Sequence, residues 1–130
     1  MPKKSLDGLT ESMFYVLMAF CRGPMCGINV AEFIDGKTRG RVQIGPATLY
    51  TILGKFEREK YIEEIEVSGR KRTYRLTERG LEAYREEVAR LAACVADAES
   101  EPDVFGGEFH ARAKSGRTAL CIPSATLSRL

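Results

Sequence analysis

Apolar residues recur at helical spacing in four stretches of the chain and at strand spacing in one short hairpin. Leu9, Met13, Val16, Leu17 and Phe20 fall on one helical face, with Phe14, Met18 and Cys21 in a second strip beside it. Thr10 is placed to cap this first helix, Leu9 to staple against Phe14, and Gly23-Pro24 to end it. A helix apolar over so much of its circumference is buried on two sides, and in a chain this short the second side is expected to meet another subunit. A second helix is predicted from about Met25 to Asp35, with Gly27, Val30, Ala31 and Ile34 inward and Gly36 as its stop. The basic, glycine-punctuated run Lys37-Thr38-Arg39-Gly40-Arg41 follows. Alternation then predicts a short strand at Val42-Gln43-Ile44.

The third stretch opens with Gly45-Pro46, a helix start in which Gly45 serves as N-cap and Pro46 occupies the first helical position. Leu49, Ile52, Leu53 and Phe56 make its apolar stripe. The opposite face carries Ala47, Thr51, Gly54 and Arg58, flanked by Thr48, Tyr50 and Lys55. Small residues in the middle with hydroxyl and basic residues at the margins suit a helix that enters a DNA major groove. After it, Ile65 and Val67 alternate with Glu64 and Glu66, which predicts a half-buried strand with the glutamates facing solvent, Glu63 among them. Ser68-Gly69 reads as a turn, and Tyr74 and Leu76 alternate on the return strand. Arg70, Lys71 and Arg72 give the hairpin a cationic tip suited to phosphate or minor-groove contact.

Thr77 caps a long fourth helix, with Glu78 in its first turn. Leu81, Tyr84, Val88, Leu91, Val95 and Ala98 repeat at alternating spacings of three and four, a heptad seam with no evident partner inside the chain. The pattern as a whole predicts a mainly α chain with a small β-hairpin. Residues 1–77 form a winged helix-turn-helix, 78–101 a C-terminal dimerisation helix, and 102–130 a tail rich in Gly, Ala, Ser, Thr and Arg, read as disordered or a loosely docked arm.

Composition changes this picture little. The 130 residues suffice for one small domain with an appendage, and the net charge of only +2 requires any basic face to be local. No apolar run approaches the ~18 residues of a membrane span, and Met1-Pro2-Lys3-Lys4 is not followed by a cleavage-site pattern, so no membrane association and a cytoplasmic location are expected. Cys21, Cys26, Cys94 and Cys121 lack metal-site spacing, and His110 is the single histidine. The expectation is therefore no metal, no cofactor and free cysteines serving mostly as small core residues. With one histidine, no paired carboxylates in a pocket-like context and no phosphate-cradling glycine loop, no catalytic set is visible and an enzyme is not expected.

Four short motifs, in order, resemble the PadR-type transcriptional regulators: Leu9-Thr10-Glu11, Gly23-Pro24-Met25-Cys26-Gly27, Gly45-Pro46-Ala47-Thr48-Leu49-Tyr50 and Tyr74-Arg75-Leu76-Thr77-Glu78-Arg79-Gly80. The resemblance spans roughly residues 6 to 95. It implies a sequence-specific, homodimeric DNA-binding regulator, usually a repressor, relieved in some members by a small molecule, with the first and last helices building the dimer. It also implies DNA contact by Thr48, Tyr50 and the wing's basic residues. Where the family often has His, Gly and an aromatic residue, this chain has Cys26, Gly27 and Ile28, and it has no Trp. The expected double-stranded DNA face comprises Thr48, Tyr50, Thr51, Lys55 and Arg58 with Lys37, Arg39, Arg41, Arg70, Lys71 and Arg72. The expected dimer contacts are Phe14, Met18, Leu81, Tyr84, Val88, Leu91 and Val95. Of these, Phe14, Met18, Val88 and Leu91 are also the candidate lining of a site for a small hydrophobic effector. The competing reading is a winged-helix module that binds protein without any operator.

Overall fold

The computed structural model describes residues 8–102. The tail beyond it, with the expected arm, His110 and Cys121, lies outside the described residues, as does the basic start of the chain. The elements run α1 (Glu11–Phe20), β1 (Met25–Cys26), α2 (Gly27–Thr38), α3 (Pro46–Arg58), β2 (Ile62–Ser68), β3 (Lys71–Leu76) and α4 (Glu78–Ser100). The strands form one antiparallel sheet in the order β1-β3-β2.

The helix starts follow from cap chemistry. Thr10 accepts the Met13 amide at 3.1 Å, and Thr77 accepts the Gly80 amide at 3.0 Å, so each hydroxyl satisfies a donor that has no partner within its helix. Gly45 precedes α3 in extended conformation and Pro46 fills its first turn. The three-helix core closes around Val16, Leu17 and Phe20 of α1, Val30 and Ile34 of α2, and Leu49, Ile52, Leu53 and Phe56 of α3, with Ile62 and Tyr74 from the sheet. Phe20, Phe56, Leu17, Ile34 and Ile62 are among its fully buried side chains. Each such side chain contributes about 1.5–3 kcal/mol of transfer free energy, which makes this cluster the dominant force holding α3 against the body.

Four local expectations are corrected. Met25 does not begin α2: Met25 and Cys26 form β1, paired with Tyr74 and Thr73 of β3, because an extended pair here completes the sheet edge. Gly36 does not stop α2, which runs on to Thr38 and ends with Arg39 in the left-handed region at φ 54°. Val42-Gln43-Ile44 is not a strand; Val42 is buried in the core and its amide is taken by the Thr38 hydroxyl at 3.0 Å, which leaves no edge to pair. The distal part of β2 is not half-buried. Its register slips between Glu64 and Glu66; Ile65 within that bulge and Val67 beyond it are 44% and 53% exposed.

The described residues fall into two units, one ending at Ala89 and a second beginning at Arg90. Within the described part of the second, residues 90–102 are the last turns of α4 and the two residues after it, nearly all exposed. Among the described residues no helix is long and apolar enough to cross a membrane.

Candidate nucleic-acid interface

α3 presents two faces of different chemistry. Its apolar stripe is buried in the core, while Ala47, Thr48, Tyr50, Thr51, Lys55 and Arg58 are exposed, Tyr50 to 65%. Lys55 and Arg58 lie in its last turn, where a cation is also favoured by the helix dipole. The Thr51 hydroxyl donates to the Ala47 carbonyl at 3.0 Å, which leaves its oxygen free to accept.

The hairpin behind α3 is a wing. β2 and β3 pair from Ile62↔Leu76 out to Ser68↔Lys71, and Gly69 takes φ 63° in the two-residue turn, which a side chain would strain. Its base is braced by an Arg75–Glu63 pair at 2.6 Å and an Arg72–Glu64 pair at 3.3 Å. Two of the wing's glutamates are thus engaged in holding its arginines. Arg70 and Lys71, at the tip, carry no ion pair among the described residues.

Between α3, the start of α2 and the wing lies a cleft of about 660 Å³. Tyr50 and Leu53 line it from α3, Ile28 from α2, and Arg70, Lys71 and Arg72 from the wing. The fold therefore brings four of the expected DNA-facing residues to one cleft: Tyr50 of α3 and the three cations of the wing. Lys37 and Arg39 are exposed at the end of α2. Arg41 is placed differently. Its guanidinium donates to the Tyr15 hydroxyl at 2.9 Å and to Glu11 at 3.2 Å, and these two bonds, Tyr15 first, hold its pKa above the usual arginine value.

Sequence patterning missed Ile28, which stands 68% exposed on the cleft. The available signal was its position in Cys26-Gly27-Ile28, where the resemblance leads one to expect an aromatic side chain. Cys26 is buried and its thiol donates to Asn29 Oδ1 at 3.0 Å, but Cys21 and Cys94 are exposed, which corrects the expectation of mostly buried cysteines. Among the described residues no group of His, Cys, Asp or Glu is arranged to hold a metal ion.

The other expected contacts lie on α1 and α4. Phe14 stacks on Tyr84 with ring centroids 5.4 Å apart, and burial pushes the Tyr84 phenol up from its ordinary pKa. Met18 and Leu81 are half-buried. Val88, Leu91 and Val95 are 42%, 36% and 55% exposed. None of the four effector-lining candidates borders the cleft at the wing.

Residues 16–86, more than half of the chain, match the model of the transcriptional regulator PadR-like family. The chain belongs to the PadR-like family of transcriptional regulators. Solved structures agree with that membership. A transcriptional regulator from Clostridium thermocellum is 25% identical over 69% of this chain and 90% of its own, with a TM-score of 0.58. A PadR family transcription regulator from Clostridium difficile shares the fold at 14% identity and TM-score 0.55, covering 68% of this chain and 97% of its own. The transcriptional regulator BldR from Sulfolobus solfataricus does so at 16% identity and TM-score 0.57, covering 86% of this chain and 76% of its own. No curated protein matches. For a PadR-like regulator the arrangement is chemically coherent: a small polar helix face beside a basic hairpin.

Proposed function

We propose that this PadR-like regulator binds operator DNA as a homodimer and represses transcription until a small hydrophobic ligand releases it. The observation that carries the reading is the cleft itself, lined by Tyr50 of α3 and by Arg70, Lys71 and Arg72 of the wing, of which Arg70 and Lys71 carry no ion pair among the described residues. A helix seated in a major groove and a wing reaching the next minor groove must straddle one phosphate strand, and cations on α3 and at the wing tip suit that role.

Thr48, Tyr50, Thr51, Lys55 and Arg58 are the residues proposed to meet bases and backbone, with Lys37, Arg39 and the wing tip neutralising phosphates. The dimer is proposed to form through Phe14, Met18, Leu81, Tyr84, Val88, Leu91 and Val95, and the ligand to bind among Phe14, Met18, Val88 and Leu91. Support for the dimer comes from the exposure of Val88, Leu91 and Val95 on a heptad repeat.

Footprinting of the purified protein on the DNA upstream of its own gene tests the reading. Two protected patches are expected, with centres about one helical turn, ~34 Å, apart. Absence of protection at moderate salt contradicts operator binding and favours a protein-binding module.

A further inference from the structure

We infer that Arg41 is a positioning residue for the recognition helix and not a phosphate ligand, a reading that rests on DNA binding through α3. Arg41 lies in the turn between α2 and α3, five residues before Pro46. The inner side of that turn is fastened to α2: Thr38 holds the Val42 amide at 3.0 Å, and Gln43 donates to Asp35 at 3.1 Å. Arg41 fastens the outer side to α1. Its guanidinium bonds Glu11 and the Tyr15 hydroxyl and lies 6.0 Å from the Tyr15 ring centroid. Tyr15 meets Phe14 edge-on with centroids 5.8 Å apart, and Phe14 stacks on Tyr84 of α4. An unbroken run of contacts thus joins α4, α1 and the turn that leads into α3.

The chemistry of this cluster disfavours a phosphate. Glu11 sits 3.2 Å from the guanidinium, so a phosphate at the same cation would face a carboxylate in close company. Arg41, unlike Arg70 and Lys71, already has an anion. A planar fork that bonds a carboxylate with one nitrogen and a hydroxyl with the other fixes its own direction, and thereby that of the backbone that carries it. The pair is 60% and 63% exposed, so its contribution to global stability is small and its effect is local.

Three variants test this: Arg41→Gln, Tyr15→Phe and the double variant, with Lys71→Gln as a wing-contact control. The probe is a labelled duplex selected by the wild-type protein from a random pool. Affinity is measured across a range of salt, beside the melting temperature and the amide exchange of residues 45–50 in the free protein. Arg41→Gln is expected to weaken binding roughly three- to tenfold with the salt slope unchanged, whereas loss of a phosphate contact lowers it by about 0.9 per contact. Tyr15→Phe, which leaves every proposed DNA contact in place, is expected to reproduce part of the loss. The double variant is expected to bind no more weakly than Arg41→Gln, as residues acting through one contact do. Exchange at the start of α3 should quicken in all three while the melting temperature stays put. A slope that falls in Arg41→Gln as it does in Lys71→Gln, losses that simply multiply, or unaltered exchange overturns the positioning role and leaves DNA binding standing. Failure of the wild-type protein to select any duplex removes the DNA reading itself, and the inference with it.

Discussion

Gly80 shows what the Tyr74–Gly80 motif is for. A Cβ on Gly80 would overlap the Tyr61 carbonyl oxygen and come within 2.9 Å of Leu76 Cδ1. The same carbonyl accepts the Thr77 amide at 3.0 Å, and the Thr77 hydroxyl donates to the Lys60 carbonyl at 2.6 Å. Tyr74 is buried, edge-on to Phe20. The motif therefore builds the junction of wing and α4. Gly80→Ala must push α4 off backbone, not off a pliant side chain. It is expected to cost about 1–3 kcal/mol, and to lower Tm by roughly 5–15 °C, read by thermal unfolding. An unchanged Tm would show that the junction gives way freely. The same residues explain why the motif is legible in sequence: each acts through a local rule of capping, alternation or close approach. The contacts of Arg41 are not legible in the sequence, because its partners, Glu11 and Tyr15, lie 30 and 26 residues away.

At the scale of elements, the helices are legible because each carries a long apolar period, to which α1 and α4 add a threonine cap. The short strands are not. Met25-Cys26 has no pattern of its own and is extended only because β3 lies beside it, whereas Val42-Gln43-Ile44 alternates yet is drawn into the core through Val42. The bulge at Glu64–Glu66 likewise overrides the alternation of β2. α4 is the element whose pattern asks for a partner. Among the described residues only Gly80 and Glu87 of α4 are buried, although its sequence repeats at heptad spacing. Leu91→Glu with Val95→Glu places charges on exposed positions, so the helical far-ultraviolet signal is expected to persist. Sedimentation equilibrium is expected to show the wild-type dimer replaced by monomer. A wild-type monomer, or a variant that remains dimeric, contradicts the proposed use of this face.

For the molecule as a whole, a modest net charge of +2 hides a local arrangement. Glu63 and Glu64 are paired with wing arginines and Glu11 with Arg41, while Arg70 and Lys71 at the wing tip and Lys55 and Arg58 on α3 carry no ion pair among the described residues. Carboxylates neutralise the structural cations and leave the cations of one face available, which is how a nearly neutral chain can still bind a polyanion. That face could be listed from sequence, but its assembly could not, because the cleft depends on where the sheet sets the wing against α3. The proposed role of this face is to hold DNA. Its most direct test is gel retention of the selected duplex by the Tyr50→Ala/Lys55→Ala protein, both positions being exposed and outside the core. Loss of retention with an intact fold and the same sedimentation behaviour as wild type is the predicted result; retention at wild-type affinity would contradict the account.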